Sequence, residues 1–199
     1  MLSELLATCD YIAKRNLCPA TGGNFSIRQS GDKMLMSASG KDKANLKASD
    51  FVVCNFQAQW LEGEGKPSAE AALHGMIYRL SPQTQCVLHT HSIPVTVLSM
   101  LEAHESAIRF HGYEMQKTIA GFHSHEETLN LFVFDNNQHI PTLAIQLMDN
   151  WQEAHLASGL IVRGHGLYSW GNSVHEAKRH MEGLEFLVEC ELTRKRYQK

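Results

Sequence analysis

Apolar positions along the chain change their period repeatedly, and each period predicts an element. Leu2, Leu5, Leu6, Cys9, Ile12 and Ala13 recur at helical spacing, so the chain opens with an amphipathic helix that fades near Asn16. Phe25 and Ile27 alternate with Ser26 and Arg28 as in a short strand. Gly31-Asp32 is a turn, and Met34-Leu35-Met36 completes a hairpin. Phe51-Val52-Val53-Cys54 predicts a further strand, paired with Gln59-Trp60-Leu61. Ser68 has the chemistry of an N-cap, and Leu73, Met76, Ile77 and Leu80 form the stripe of a helix that stops at Ser81-Pro82. Residues 85–89 form a strand, and Pro94 opens a helix with Val95, Val97, Leu98 and Leu101. Strands follow at 108–110 and 131–134. A helix then runs from Pro141-Thr142 through Leu147, Met148 and Trp151. Residues 159–162 are a short unbroken apolar run, a buried strand. The last helix, from about Ser173, buries Ala177, Met181, Leu184, Leu187, Val188 and Leu192. No repeat or linker interrupts this mixture, so residues 1–199 are expected to form a single α/β domain.

Composition narrows the class. The 199 residues suffice for one substantial core, and 43% hydrophobic with 20% charged residues is ordinary for a globular protein. A net charge of -3 argues against nucleic acid as a partner. No apolar run approaches the roughly 18 residues of a membrane span. Met1-Leu2-Ser3-Glu4-Leu5 lacks a basic start, so no signal peptide is expected. The cysteines are odd in number and lack Cys-x-x-Cys spacing, which suits reduced thiols in a cytoplasmic protein.

Candidate chemistry centres on Cys86-Val87-Leu88-His89-Thr90-His91-Ser92. Side chains two apart on a strand share a face, with Cα atoms about 7 Å apart, so His89 and His91 can reach one divalent ion. Alone, the pair is equally two polar residues at a wet strand end, because zinc takes three or four protein ligands. His165, flanked by Gly164 and Gly166 after the apolar strand, offers the third ring. Three histidines leave one position open, the pattern of a catalytic rather than a structural zinc. A second pair, His123 and His125, follows no apolar run and precedes acids, so it is expected in a solvated loop. A metal with an open position polarises a carbonyl, and a carboxylate then takes a proton from the adjacent carbon. Glu70 and Glu114 are the candidates; their bland readings are a first-turn acid facing the helix dipole and a surface acid in a loop. The Gly22-Gly23 pair and Ser39-Gly40-Lys41 suit an anion, although Leu35 and Asp42 rule out a P-loop. Gly63-Glu64-Gly65-Lys66-Pro67-Ser68 fails as a dinucleotide fingerprint because Ser68 takes the last glycine position. A zinc hydrolase is disfavoured, since His-Glu-x-x-His and Gly-x-Ser-x-Gly are both missing. A phosphorylated sugar with its carbonyl near the metal fits these pieces.

Gly23-Asn24-Phe25-Ser26, Ser39-Gly40, Ser68-Ala69-Glu70, His89-Thr90-His91 and His165-Gly166, in this order and spanning nearly the whole chain, resemble the class II aldolase superfamily. The resemblance implies a three-layer α/β/α fold around a mainly antiparallel sheet. It implies one zinc ion per subunit on His89, His91 and His165, and phosphate against Gly23, Asn24, Ser39, Gly40 and Ser68. It also implies a homotetramer with sites near subunit contacts. Ala69 stands where the superfamily's aldolases usually carry a second serine. His89-Thr90-His91-Ser92, Gly112-Tyr113-Glu114-Met115, the run Arg163 to Gly171 and Glu182-Gly183-Leu184-Glu185-Phe186-Leu187 are most similar to the superfamily's dehydratase branch. In that branch Glu114 matches the acid/base, which leaves Glu70, the base of the aldolases, as a fourth ligand or a bystander. An aldolase or epimerase is the rival activity, and a non-catalytic scaffold of the same fold a more distant one. Phe110, Met115, Tyr168 and Trp170 are candidates to line an apolar substrate pocket.

Overall fold

The computed structural model describes residues 1–152 and 158–198. Among these residues five α-helices and nine strands follow one another as α1 (Leu2–Lys14), β1 (Asn24–Arg28), β2 (Lys33–Ser37), β3 (Phe51–Asn55), β4 (Trp60–Glu62), α2 (Ala71–Leu80), β5 (Cys86–Thr90), α3 (Ile93–Leu101), β6 (Ala107–Phe110), β7 (Leu129–Phe134), α4 (Ile140–Asp149), β8 (Gly159–Val162), β9 (Gly166–Gly171) and α5 (Val174–Tyr197). The strands form one sheet in the order β4-β3-β2-β1-β5-β9-β8-β7-β6. Neighbours are antiparallel except β7 and β8, which run parallel. Helices α1, α3 and α5 cover one face and α2 with α4 the other, giving the three layers expected.

Strand β5 lies at the centre of this sheet and is buried along its whole length. Alternation sends Cys86 and Leu88 into the core under α1, α3 and α5, and Val87 into the core under α2 and α4. His89 and His91 continue the Val87 side, whereas Thr90 and Ser92 continue the Leu88 side. An apolar run buried on both faces therefore delivers two imidazoles to one face at its carboxyl end.

Several details differ from the sequence reading. Strand β9 occupies a stretch read only as the glycine-flanked His165 turn, and α4 ends at Asp149, short of Trp151. Helix α2 begins at Ala71 rather than behind Ser68; Glu70 occupies the N-cap position, and the Ser68 hydroxyl accepts only the Glu70 N–H, at 3.3 Å. Phe110, Tyr168 and Trp170 are core residues, at most 3% exposed, so they do not line a substrate pocket; Met115 packs half-buried against the same core. Tyr168 is buried because β9 pairs with β5 and sets its ring against His89, 3.9 Å between centroids. No helix among the described residues is long and apolar enough to cross a membrane, and all five cysteines are free thiols.

Candidate metal centre and active site

The three histidines and Glu70 converge, with one donor atom of each lying within 4.8 Å of the others. His91 Nε2 is 2.8 Å and His165 Nε2 3.3 Å from His89 Nε2. Glu70 Oε1 is 3.0 Å from His165 Nε2, and Oε2 is 4.0 Å from His89 Nε2. Tetrahedral bonds of 2.0–2.1 Å space their donors by about 3.3 Å, close to these separations. His89 Nδ1 lies 2.9 Å from the Leu167 carbonyl, to which it donates. That bond fixes the tautomer and turns the Nε2 lone pair toward the cluster, as in a metal-ligating histidine. Burial pushes the pKa of His89 well below its ordinary value; His91 is lowered by burial and by His165. Both rings therefore present lone pairs at neutral pH, as a metal requires. Burial would raise the Glu70 carboxyl, but the hydrogen bond from His165 and the pull of His89, His165 and His91 hold it well below the usual carboxylate range. Asn24 Nδ2 also donates to Glu70. The residues present thus fit a divalent ion.

Each ring is placed by backbone that the sequence made specifically. His165 sits in the β8–β9 turn, anchored by Arg163. That guanidinium donates to the carbonyls of Ser99 and Glu102, each at 2.7 Å, and of Glu105 at 2.9 Å, closing the C-terminal end of α3. The Gly164 N–H reaches Ser99 Oγ at 3.0 Å. A Cβ on Gly166 would overlap the Thr90 carbonyl oxygen, so only glycine lets β9 approach the His89–His91 strand. Gly23, at φ +73°, has no space for a Cβ between Cys18 Sγ and the His89 carbonyl.

Behind the His-x-His segment lies Glu185 of α5, part of a motif noted in the sequence but without a role assigned there. Thr90 Oγ1 and Ser92 Oγ donate to its carboxylate at 2.6 and 2.5 Å, stapling the strand end to the helix. Burial raises its pKa from 4.5 to about 6, against the lowering effect of the two hydroxyls. Between those values the folded protein keeps a proton that the unfolded chain has released. This contribution to stability is full below pH 4.5 and is lost as the pH rises through about 6. The loss is roughly 2 kcal/mol. Glu185→Gln, which cannot ionise, is expected to gain that much on the native protein between acid and neutral pH in denaturant unfolding. A constant difference across that range would contradict this assignment.

Two clefts meet at Glu70 and His91. One, of about 290 Å³, is lined by Gly23, Asn24, Ser39, Gly40, Lys43 and Ser68 among others. It brings together every residue expected to hold phosphate. The other, of about 440 Å³, runs past His165 to residues 136–138 and Ile140. Glu114 lines neither cleft. Its carboxylate is exposed, 2.7 Å from Lys117 Nζ and 3.2 Å from His125 Nδ1, so His125 of the second histidine pair serves a surface contact. Lys41, which the sequence singled out in the anion loop, is turned to Asp50 at 2.9 Å. Sequence reasoning missed Lys43, Arg163 and Glu185. Arg163 and Glu185 lay within motifs noted in the sequence and Lys43 just past one, but only their tertiary partners reveal what they do.

Residues 3–192 match the family model described as Class II Aldolase and Adducin N-terminal domain. A relative from Yersinia enterocolitica named methylthioribulose-1-phosphate dehydratase is 47% identical over 98% of this chain and 92% of its own. A Klebsiella pneumoniae protein of the same name is 45% identical, over 99% of this chain and 97% of its own. Among solved structures, L-fuculose-1-phosphate aldolase from Thermus thermophilus superposes with a TM-score of 0.78 at 22% identity, covering 98% of this chain and 94% of that one. A sugar-phosphate aldolase from Thermotoga maritima does so with a TM-score of 0.73 at 18% identity, covering 98% and 95%. The fold, the convergent Glu/His₃ group and a family match across nearly the full length lead to one conclusion: this chain belongs to the class II aldolase and adducin N-terminal domain family.

Proposed function

We propose that this chain is a zinc-dependent lyase that dehydrates 5-methylthioribulose 1-phosphate to 2,3-diketo-5-methylthiopentyl 1-phosphate, a cytoplasmic step of methionine salvage, with residues 1–199 acting as one catalytic unit. The observation that carries the reading is the Glu70–His89–His91–His165 cluster where two clefts join. It is found in a chain 45% to 48% identical, over nearly all its length, to proteins bearing that dehydratase's name. His89, His91 and His165 would hold the ion, and the position of Glu70 supports it as the group that takes the fourth place until substrate displaces it. When bound, the ion supplies Lewis acidity that makes the carbon beside the substrate carbonyl acidic. Gly23, Asn24, Ser39, Gly40 and Ser68 bind the phosphate and fix the sugar's direction. The larger cleft, with Ile140 and Ala69 as apolar wall, takes the methylthio end.

Glu114 is the acid/base. It takes the proton from C3 and returns it to the departing C4 hydroxyl, so that water leaves and the enol ketonises. Because Glu114 stands on the surface away from its own chain's clefts, it serves the metal site of a neighbouring copy in a homotetramer. Ile93, Met100 and Leu101 on α3 and Phe186 on α5 are exposed apolar side chains suited to such a contact.

Incubation with methylthioribulose 1-phosphate is expected to produce the absorbance of a diketone, abolished by a chelator and restored by zinc. Release of an aldehyde and dihydroxyacetone phosphate from a ketose phosphate, without diketone, would assign the site to an aldolase instead.

A further inference from the structure

We infer that Lys43 is the cation of the phosphate cleft, binding the phosphoryl group of the substrate directly. The inference rests on the proposed sugar-phosphate reading and adds a residue that neither the sequence motif nor the family resemblance assigned. Lys43 is only 2% exposed, in the turn just after the Ser39-Gly40 loop. Its Nζ donates to the Thr21 carbonyl at 3.1 Å and the Lys41 carbonyl at 2.7 Å. These carbonyls belong to the two loops that form the sides of the cleft, so one ammonium bridges both walls. An ammonium has three donors, and two are used. No carboxylate among the described residues forms an ion pair with it, whereas neighbouring Lys41 has Asp50. A buried cation without a counter-charge is costly, and a bound anion removes that cost. Among the described residues lining this cleft, Lys43 is the one lysine or arginine. The cleft is otherwise built of glycine, hydroxyl and amide groups, which suit a phosphate's remaining oxygens. Glu70 shares the cleft, but its carboxylate is taken by Asn24 and His165 at the ring end. A phosphate therefore sits toward Lys43, with the sugar reaching back to the rings.

The test uses the metal-loaded, full-length protein, with inorganic phosphate as the binding probe and methylthioribulose 1-phosphate as substrate. Lys43→Gln is expected to weaken inorganic phosphate binding and raise KM at least tenfold, with metal content unchanged and kcat within a few-fold. Lys43→Arg is expected to recover part of the affinity. On the native protein, the Lys43 ε-carbon NMR signal should move on phosphate addition while that of Lys41 stays still, a readout that holds even where Lys43→Gln does not fold. A folded Lys43→Gln variant that binds phosphate as tightly as the native protein overturns the inference. So does a native protein that binds no phosphate, or whose Lys43 signal is indifferent to it. Phosphate binding through Lys43 in a protein that does not dehydrate methylthioribulose 1-phosphate would overturn the proposed reaction and leave Lys43 in place.

Discussion

Glu114→Gln is expected to lower turnover by about 10²–10⁴-fold, the usual weight of a positioned acid/base, while metal content and melting temperature stay at native values. The Lys117 hydrogen bond, with His125 nearby, holds the Glu114 carboxyl below its ordinary pKa, so it is ionised and ready to accept a proton at neutral pH. Its exposure means that the amide replaces it without disturbing the core. The same variant tests where the residue acts. Mixed with His165→Ala subunits and allowed to reassemble, it should regain activity that neither variant has alone. Random assortment in a ring of subunits gives roughly a quarter of native sites an intact metal group beside an intact neighbouring glutamate. No recovery on mixing would confine Glu114 to its own chain, and loss of metal from Glu114→Gln alone would mean that a ligand had been mistaken for the acid/base.

His165→Ala should be more damaging still. It removes one of three rings from the cluster, and the remaining His89, His91 and Glu70 hold the ion far less well. Losing an outer partner of a metal ligand already costs roughly 10–100-fold in affinity, and losing the ligand costs more. With the Lewis acidity gone, several kcal/mol of transition-state stabilisation go with it. Turnover should fall by at least about 10³-fold. The fold should survive, because His165 lies in a turn whose anchor is Arg163 and whose neighbours in the core are untouched. Metal analysis on the purified variant decides the matter: a full complement of ion with activity lost would show that His165 is no ligand.

By itself, the sequence determined whatever depends on neighbours a few residues apart. Apolar periods marked the helices and every strand but β9, because a side chain's face follows from its position within a turn or a pleat. The His89–His91 pair was legible for the same reason, as was its place at the end of an apolar strand; that His89 is fully buried there was not. Motif order across the chain carried the family resemblance. The tertiary structure decided what depends on contacts between distant segments. Pairing of β5 with β9 brings His165 to His89 across 76 positions and puts Tyr168 and Trp170 in the core rather than in a pocket. A late start to α2 leaves Glu70 at the N-cap, where its carboxylate meets the rings instead of joining the apolar stripe. Lys41 and Lys43 look interchangeable in the written loop; the turn between them sends one to Asp50 and the other between two carbonyls of the cleft. Periodicity fixes which face a residue occupies within its own element. Sheet order and turn geometry fix what that face meets, and those are settled only when the whole chain packs.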